Sequence, residues 1–585
     1  MPQPNTKTRH RAVEVAQGRA PADLLLTNVR LVNTLTAEIY PAQIVIAGEL
    51  VAAVVGPNER ASAREVVDGS GAYALPGLVD SHLHIESSMV LPPAFAEAVV
   101  PRGVLTVVAD PHEIANVMGL PGVRLMIEAA RNLPLDVYFQ APSCVPATAL
   151  ETAGAEIGPG EIRALLSWDE ILALGEVMDF NAVLSQEGRA ADVLAEAVRR
   201  GAVVEGHAPN LTGGDLAAYV TAGVNSDHTF VTPPLAAERL RSGVTLQLQL
   251  KSLAPETLRE AAARARSLNL CLVTDDVMPD DLVTTGHLDH VFRTAVGMGL
   301  DPVEAVRAVT LAPARRMRLF DRGAIAPGLL AHIVLTRDLR DFRPELVFYG
   351  GRLVAREGEL LTPLPDYRPP QEALRTVRVP APGPERFRIP TPGTPANGTA
   401  AVRVMAMRSD STYTGADTAR IPVRGGYLDW SSTDLCLAAV FERHARAGAV
   451  GYGFVRGALQ RGAVAMTWAH DSHNLLVCGR TPEEMALAAR WVVERGGGMA
   501  AVRGAEVLGS VRLPVAGIVS DRPVREVARE LAGFRRALLT LGFEHRSPVM
   551  ALGVLTLPVS PALKLTDRGL VDVNAGAIVP LFVEE

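Results

Sequence analysis

Cysteine is scarce in this chain of 585 residues, and its spacing narrows the chemistry. The four cysteines are far apart and form no Cys-x-x-Cys motif; they are Cys144, Cys271, Cys436 and Cys478. Disulfide-stapled domains and thiolate zinc sites both depend on closely spaced cysteines, so the sequence indicates neither of them. A chain without a disulfide framework fits a reducing compartment.

Long apolar runs and an excess of positive charge are also missing. No segment approaches the roughly 20 uninterrupted apolar residues of a membrane span. Residues 1–21 lack the apolar centre of a signal peptide, and we expect them to form a flexible tail. The net charge of −7 argues against nucleic acid or an anionic membrane as the partner. We therefore expect a cytoplasmic protein.

Lysine is almost absent, and arginine supplies nearly all of the positive charge. The three lysines are Lys7, Lys251 and Lys564. A site built from the segment between the first two cannot use a lysine side chain.

The chain is too long for a single hydrophobic core, so two or more domains are expected. Short alternating apolar runs, separated by turn residues, occur in residues 22–74 and again in residues 321–362. We expect these two segments to form one small β-sandwich, with the intervening chain inserted into it.

Residues 75–320 alternate apolar strands with helical stretches, which is typical of βα units. The eight strand candidates are residues 77–84, 104–111, 135–141, 172–177, 202–207, 223–229, 244–250 and 270–275. Eight parallel strands with helical crossovers predict an α/β fold with a (β/α)8 TIM-like barrel. The active site of such a barrel lies at the C-terminal ends of its strands.

Residues 363–398 predict a stiff, irregular linker, because residues 363–395 contain ten prolines. Residues 399–585 predict a C-terminal α+β domain. Its predicted helices are residues 433–447, 482–494 and 524–541, and its predicted strands are residues 464–468, 475–477 and 517–519.

His82 and His84 end the first strand candidate of the barrel, with one residue between them. Residues i and i+2 of a strand point to the same face, so the two imidazoles can hold one metal ion. Further metal-binding side chains end later strand candidates: Glu176, His207, His228 and Asp275. Four imidazoles and two carboxylates on one rim predict a site for one or two divalent ions.

Longer motifs surround these residues. Residues 76–89 are Pro-Gly-Leu-Val-Asp-Ser-His-Leu-His-Ile-Glu-Ser-Ser-Met, and residues 110–119 are Asp-Pro-His-Glu-Ile-Ala-Asn-Val-Met-Gly. Together with residues 141–147, 204–209 and 470–474, they resemble the adenine deaminase family of the metal-dependent amidohydrolase superfamily. The resemblance runs from about residue 22 to the C-terminus, except for the linker.

The resemblance implies a binuclear centre with two divalent ions, Mn²⁺ by preference and Fe²⁺ or Zn²⁺ as alternatives. One ion would be held by His82, His84 and Asp275, and the other by His207 and His228. Many superfamily members bridge the two ions with a carbamylated lysine on strand four, and this chain has no lysine there. The carboxylate of Glu176 is the candidate bridge, since it offers one oxygen to each ion.

The resemblance also implies the reaction, the hydrolytic deamination of adenine in purine salvage by a hydrolase acting on C–N bonds of cyclic amidines. A metal-activated hydroxide would attack C6 of the purine. Asp275 would accept the water proton and pass it to the departing amine, and His228 would bind metal or polarise the adduct. The products would be hypoxanthine and ammonia.

Five further residues are candidates for binding the substrate: Glu86, Ser88, Glu113, His470 and His473. A carboxylate could bind a ring nitrogen of the purine, but the acids and the serine could equally order the loops after strands one and two. His470 and His473 could reach the barrel mouth, hold an extra metal or only pack one domain against the other. His112 could contact the metal ligands without binding metal itself, or it could have a purely structural role, and both possibilities remain open.

Two other functions remain in competition. One is a different amidohydrolase, either a cyclic-amide hydrolase or a cytosine-type deaminase, since the fold and the metal ligands do not determine the substrate. The other is a non-catalytic scaffold of the same fold, which would be expected to lose ligands. We also expect a homo-oligomer, a dimer, although no pattern in the sequence reports the oligomeric state.

Overall fold

The computed structural model describes residues 6–265, 268–391 and 396–583, and the chain there begins with helix α1 (Thr6–Ala16). Ala12 and Val15 are buried on one face of α1, and Arg11 forms an ion pair with Asp23 at 2.6 Å. The prediction of a flexible tail is therefore wrong for residues 6–16, because two apolar residues three apart give the helix a face to bury. Residues 1–5 of that predicted tail lie outside the described residues.

Five strands follow before the barrel. They are β1 (Ala22–Asn33), β2 (Glu38–Ala47), β3 (Leu50–Val55), β4 (Ala63–Asp68) and β5 (Tyr73–Pro76). β1 pairs antiparallel with β2, and β2 pairs antiparallel with β3, while β4 and β5 run parallel to β1.

The barrel strands are parallel and short. They are β6 (Leu78–Leu83), β7 (Val104–Ala109), β8 (Asp136–Ala141), β9 (Ile171–Val177), β10 (Val203–Gly206), β11 (Ser226–Asp227), β12 (Thr245–Leu248) and β13 (Leu270–Leu272). β6 to β10 form one sheet and β11 to β13 another. A parallel bridge between Leu83 and Asp275 links the end of β6 to the chain just after β13. Each of the eight predicted strands overlaps one of these strands.

Thirteen helices occur between β6 and the end of the barrel segment in the described residues. They are α2 (Pro92–Val99), α3 (His112–Met118), α4 (Leu120–Ala129), α5 (Pro159–Leu165), α6 (Phe180–Ser185), α7 (Arg189–Arg199), α8 (Gly213–Thr221), α9 (Pro233–Arg241), α10 (Pro255–Arg264), α11 (Pro279–Thr284), α12 (Leu288–Gly297), α13 (Pro302–Ala308) and α14 (Leu311–Arg316).

The chain returns to the first sheet after the barrel. The returning strands are β14 (Ile333–Thr336), β15 (Pro344–Tyr349), β16 (Arg352–Arg356) and β17 (Glu359–Leu360). β14 pairs antiparallel with β5, so the segments before and after the barrel share one nine-stranded sheet. Asp136, at the start of β8, accepts hydrogen bonds from His332 Nε2 at 2.9 Å and from the Tyr349 hydroxyl at 2.7 Å. These contacts tie the bottom of the barrel to this sheet.

Residues 363–391 contain two short 3-10 turns and lead to the C-terminal part. A second nine-stranded sheet dominates that part. Its strands are β18 (Asn397–Arg408), β19 (Ser411–Arg424), β20 (Tyr427–Leu428), β21 (Leu435–Phe441), β22 (Val450–Arg456), β23 (Ala463–Met466), β24 (Leu475–Gly479), β25 (Gly498–Arg503) and β26 (Glu506–Arg512). Helices α15 (Pro482–Glu494), α16 (Val524–Thr540) and α17 (Pro548–Gly553) and a small sheet of β27 (Leu563–Thr566), β28 (Gly569–Asp572) and β29 (Ala577–Val579) complete it.

Two predictions for this part are wrong. Residues 433–447 do not form a helix: their apolar run is the fully buried strand β21, which pairs with β22 and β24 on its two edges. A short apolar run that is buried on all sides shows neither helical nor strand periodicity, so its length decides. Residues 517–519 form a turn at Gly517, where φ is +73°, and only an isolated bridge joins Val515 to Val519.

Within residues 6–265, 268–391 and 396–583, no helix has both the length and the apolar composition for a bilayer crossing.

Lys564, on β27, leads to a prediction about stability. Its side chain is fully buried, its amine donates to the Thr412 carbonyl at 3.3 Å, and burial lowers its pKa to about 7. Between pH 7 and 10.5 the unfolded Lys564 binds a proton that the folded one does not, so the contribution of Lys564 to stability should rise with pH across this window. Lys564→Met should remove that rise and stabilise the protein by on the order of 2 kcal/mol at pH 8.

Urea denaturation at several pH values between 7 and 10.5 measures this difference. Lys7→Met, at an exposed position, is the matched control and should leave the wild-type slope unchanged. A Lys564→Met variant that is less stable than the wild type throughout this range would contradict the prediction.

Candidate metal centre

The predicted metal-binding residues meet at one end of the barrel. Strand β6 carries His82 and ends just before His84, and Asp275 lies beside both because the Asp275 N–H donates to the His82 carbonyl at 3.1 Å. The remaining residues come from the ends of three other strands: Glu176 on β9, His207 after β10 and His228 after β11. Five of the six side chains are buried, and that of His207 is 27% exposed.

Glu176 lies at the centre of this group. Its Oε1 lies 3.4 Å from His84 Nε2, and its Oε2 lies 2.6 Å from His207 Nδ1 and 3.3 Å from His228 Nε2. Each carboxylate oxygen thus faces a different set of imidazoles, which is the arrangement that a carboxylate bridging two ions requires.

The backbone of Glu176 is fixed by Asp110. The Glu176 N–H donates to Asp110 Oδ2 at 3.0 Å. A Cβ at the preceding Gly175 would lie 2.2 Å from the same oxygen, so only glycine allows this close approach. Asp110 therefore fixes the backbone that carries the Glu176 carboxylate.

Asp275 occupies the opposite side of the site. Its Oδ1 lies 3.3 Å from His84 Nε2 and 3.7 Å from His82 Nε2. Its Oδ2 accepts hydrogen bonds from Gln249 Nε2 at 2.7 Å and from Lys251 Nζ at 3.5 Å. One oxygen thus faces the imidazoles, while the other is held by two donors.

The imidazoles are oriented as metal ligands are. His84 Nδ1 donates to the Asp110 carbonyl at 3.0 Å, which leaves His84 Nε2 with a lone pair directed at the two carboxylates. Both ring nitrogens of the buried His82 and Nδ1 of the buried His228 have no hydrogen-bond partner among the described residues. Buried nitrogens without partners are costly, and a metal ion would satisfy them.

Three-residue groups with ligand atoms within 4.8 Å of one another also fit a metal. Those at the barrel end are His82 with Glu176 and His228, His82 with His84 and Asp275, and His84 with His112 and Glu176. Their nitrogen and carboxylate oxygen donors suit Mn²⁺, Fe²⁺ and Zn²⁺ alike. His207 contacts this set through Glu176 and through His228 Nε2, which lies 3.3 Å from His207 Nδ1.

Electrostatics keep both acids ionised. Burial raises the pKa of Glu176, but the neighbouring His228 and His207 outweigh it and hold the pKa well below its usual value. Burial likewise raises the pKa of Asp275, but Lys251, His82 and His84 outweigh it and hold the pKa well below its usual value. Ionised carboxylates are the form that metal binding and proton acceptance require.

The candidate substrate residues after β6 lie in different surroundings. Glu86 is buried, its Oε1 accepts from the Ile114 N–H at 3.3 Å, and its Oε2 has no partner among the described residues. The Ser88 hydroxyl donates to the Ile85 carbonyl at 2.6 Å, so it orders the loop that follows His84.

The C-terminal part reaches the barrel through the loop that carries His470 and His473. His470 Nδ1 lies 2.7 Å from Glu113 Oε1, and His473 Nε2 contacts Glu113 Oε2. His112 lies between this loop and the centre, because its Nδ1 is 3.9 Å from Glu176 Oε1 and its Nε2 is 3.9 Å from Asp471 Oδ2. Domain packing and contact with the barrel mouth are thus made by the same side chains.

Four residues of the site are absent from the sequence-based predictions, and one of them is Lys251, which holds Asp275 Oδ2 together with Gln249. Asp110 directly follows β7, the same strand-end signal that identified the ligands, and could have been found by it. Gln249 also follows a strand, β12, but glutamine is not a typical metal-binding residue, so the strand-end signal did not identify it. Asp471 gives no sign in the sequence that it would face a histidine from the barrel.

Comparisons with known proteins agree with this geometry. Residues 73–354 match the model of the amidohydrolase family, and residues 411–577 match that of the adenine deaminase C-terminal domain. Adenine deaminase 2 of Carboxydothermus hydrogenoformans is 42% identical over 580 residues, covering 97% of this chain and 98% of that protein. Adenine deaminase 2 of Shouchella clausii is 40% identical, with coverages of 96% and 99%, and the adenine deaminase of Nitratidesulfovibrio vulgaris is 42% identical, with coverages of 96% and 97%.

A buried ion pair beside the site leads to a prediction. Asp227, on β11, accepts from Arg239 Nε at 2.8 Å and from the N–H groups of Ala208 and Thr229, and both charged side chains are buried. The pair thereby fixes the loops that follow β10 and β11. Asp227→Asn should leave the buried guanidinium uncompensated and lower the free energy of unfolding by about 3 kcal/mol.

Chemical denaturation measures this loss, and metal affinity should fall as well, because His207 and His228 lie in these two loops. The exposed Asp215→Asn is the control and should change stability by less than about 1 kcal/mol. Equal stability of the two variants would show that the pair does not hold the loops.

Proposed function

This chain belongs to the adenine deaminase family, and from that membership we propose that it hydrolyses adenine to hypoxanthine and ammonia. The observation that carries the proposal is the position of Glu176, whose two oxygens face imidazoles from three different strand ends. A carboxylate can take the place of a bridging lysine, because it offers one oxygen to each of two cations.

Two divalent ions belong to this proposal, with Mn²⁺ preferred over Fe²⁺ or Zn²⁺. His82, His84 and Asp275 would hold one ion, and His207 and His228 the other, with Glu176 between them. The partnerless ring nitrogens of His82 and His228 support a bound metal, and the nitrogen and oxygen donors fit all three ions. When bound, the ions would lower the pKa of a water molecule towards neutrality and so supply the nucleophile.

Asp275 is the proton carrier in the proposed mechanism. Its ionised carboxylate accepts the proton of the attacking water and delivers it to the exocyclic nitrogen of adenine, which then leaves as ammonia. Gln249 and Lys251 hold Asp275 Oδ2, which keeps Oδ1 directed into the site. His228, besides or instead of binding metal, is proposed to polarise the adduct at C6 as it gains negative charge.

Recognition of the purine involves Glu86 in this proposal. Its partnerless and buried Oε2 is available to a ring nitrogen of the substrate. Both oxygens of Glu113 are engaged by His470 and His473, so these three side chains are proposed to position His112 and the loop after β7 from behind. Ser88 is proposed to order the loop after His84.

The organisation predicted from the sequence completes the proposal. Residues 22–74 and 321–362 form a β-sandwich domain, residues 75–320 the catalytic barrel, residues 363–398 the linker and residues 399–585 an α+β domain of the adenine deaminase type. The shared sheet of β5 and β14 supports the first of these divisions. The protein acts as a cytoplasmic homodimer in this proposal.

The substrate can be tested directly. Purified, manganese-loaded protein should release ammonia and hypoxanthine from adenine, with little or no turnover of cytosine or dihydroorotate. A coupled ammonia assay and chromatography of the product distinguish the three. Turnover of cytosine or dihydroorotate without turnover of adenine would assign a different amidohydrolase reaction, and inactivity on all three would favour a scaffold.

Glu176→Gln tests the bridging carboxylate. The amide keeps the shape of the side chain but removes its charge, so kcat/KM for adenine should fall by about 10³-fold or more and bound metal should decrease. The exposed Glu187→Gln is the matched control and should retain the activity and metal content of the wild type. Near-normal activity of Glu176→Gln with full metal content would refute the bridging role.

A further inference from the structure

A second group of metal-binding side chains lies between the barrel and the C-terminal part. We name it the interdomain cluster: His112 and Glu113 of α3 with His470 and Asp471 of the loop after β23. His112 Nε2 lies 3.7 Å from Glu113 Oε1 and 3.9 Å from Asp471 Oδ2. His470 Nδ1 lies 2.7 Å from Glu113 Oε1 and 3.6 Å from Asp471 Oδ1.

These separations fit ligands of a single ion. Donors bound at about 2.1 Å in tetrahedral or octahedral geometry are roughly 3.0 to 3.5 Å apart when adjacent and up to about 4.2 Å apart when opposite. The ligand atoms of His112, Glu113 and Asp471 lie within 4.8 Å of one another, so small side-chain movements would bring them to these separations around one ion. One imidazole and two carboxylates are a donor set for a borderline divalent cation.

Asp471 gives an independent indication of a ligand. Its side chain is only 2% exposed, and its Oδ2 accepts no hydrogen bond among the described residues while it faces His112 Nε2. A carboxylate oxygen that is buried without a hydrogen-bond partner is unfavourable, and a bound cation would satisfy it.

His112 is oriented as a ligand of this cluster. Its Nδ1 lies 3.5 Å from Asp110 Oδ2, and its opposite nitrogen, Nε2, faces Glu113 and Asp471. Nδ1 forms no hydrogen bond among the described residues, so Nε2 is the His112 nitrogen that the two carboxylates of the cluster face.

The nearby arginine does not supply the compensating charge. Arg443 is fully buried, but it donates to the carbonyls of His473 and Ala516 and to the Thr376 hydroxyl. Its guanidinium is therefore occupied with backbone and hydroxyl oxygens, and the two carboxylates of the interdomain cluster are left facing imidazoles.

We propose that the interdomain cluster binds one divalent transition-metal cation through His112 Nε2, Glu113 and Asp471, with His470 Nδ1 holding the Glu113 carboxylate from the side. This ion is additional to the two ions of the barrel site. It joins α3 to the loop after β23, and so fastens the C-terminal part across the barrel mouth. The proposal concerns metal binding alone and holds whichever substrate the barrel site takes.

Metal content of the full-length protein tests the proposal. Protein stripped with a chelator, reloaded with Mn²⁺ and desalted should contain about three ions per chain by mass spectrometry. Asp471→Asn should contain one ion fewer. Asp567→Asn is the matched control and should keep the wild-type number of ions. Asp567 is also buried at this interface, where its carboxylate accepts a hydrogen bond from the Thr152 N–H.

Two results would overturn the proposal: a wild type that holds only two ions, or a folded Asp471→Asn variant that holds as many ions as the wild type. If circular dichroism shows Asp471→Asn to be unfolded, anomalous diffraction from manganese-loaded wild-type crystals decides. A peak within about 2.5 Å of both His112 Nε2 and Asp471 Oδ2 supports the site, and no peak there rejects it.

Hydrogen exchange is a second measurement that distinguishes this ion from the two ions of the barrel site. Hydrogen exchange of residues 469–474 should be slower in manganese-loaded than in metal-free wild-type protein, and Glu176→Gln should preserve this difference because its interdomain cluster is intact. Loss of the difference in Glu176→Gln would assign the protection to the barrel ions and contradict the proposed site.

Discussion

The charge of Glu176 must be balanced inside the barrel, and much of the surrounding structure serves that requirement. A buried carboxylate is unfavourable unless positive or polarisable partners surround it. His84, His207 and His228 approach it from three strand ends, and Asp110 holds its backbone in place. Moving any of these strands by one residue would turn an imidazole to the opposite face of the barrel wall.

The same requirement explains which parts of the site could be read from the sequence. Strand alternation and the common direction of parallel strands predict that residues ending different strands meet, which is why His82, His84 and Asp275 could be grouped without coordinates. Gln249 could not be, since an amide at a strand end has many uses. The contact of Glu113 with His470 joins residues far apart in the chain, and no local pattern reports it.

Whether an element of the fold was predicted correctly depended on how many signals in the sequence supported it. The barrel strands repeat with helices between them, so eight weak signals reinforce one another. Strand β21 stands alone, with seven buried residues that would suit a helix equally well, and only its pairing with β22 and β24 decides the matter. Helix α1 depends on just two buried residues, too few to distinguish it from a polar tail.

The pairing of β5 with β14 has a consequence for the newly made protein. Pro76 lies opposite Ile333, so the first sheet stays incomplete until the whole barrel segment has been synthesised. At about 5–20 residues per second, that interval lasts roughly 13–50 s. Throughout it, β5 presents an unpaired edge, the type of surface on which nascent chains aggregate. The ribosome must therefore deliver β14, which follows the last barrel helix, before this edge of β5 can be covered.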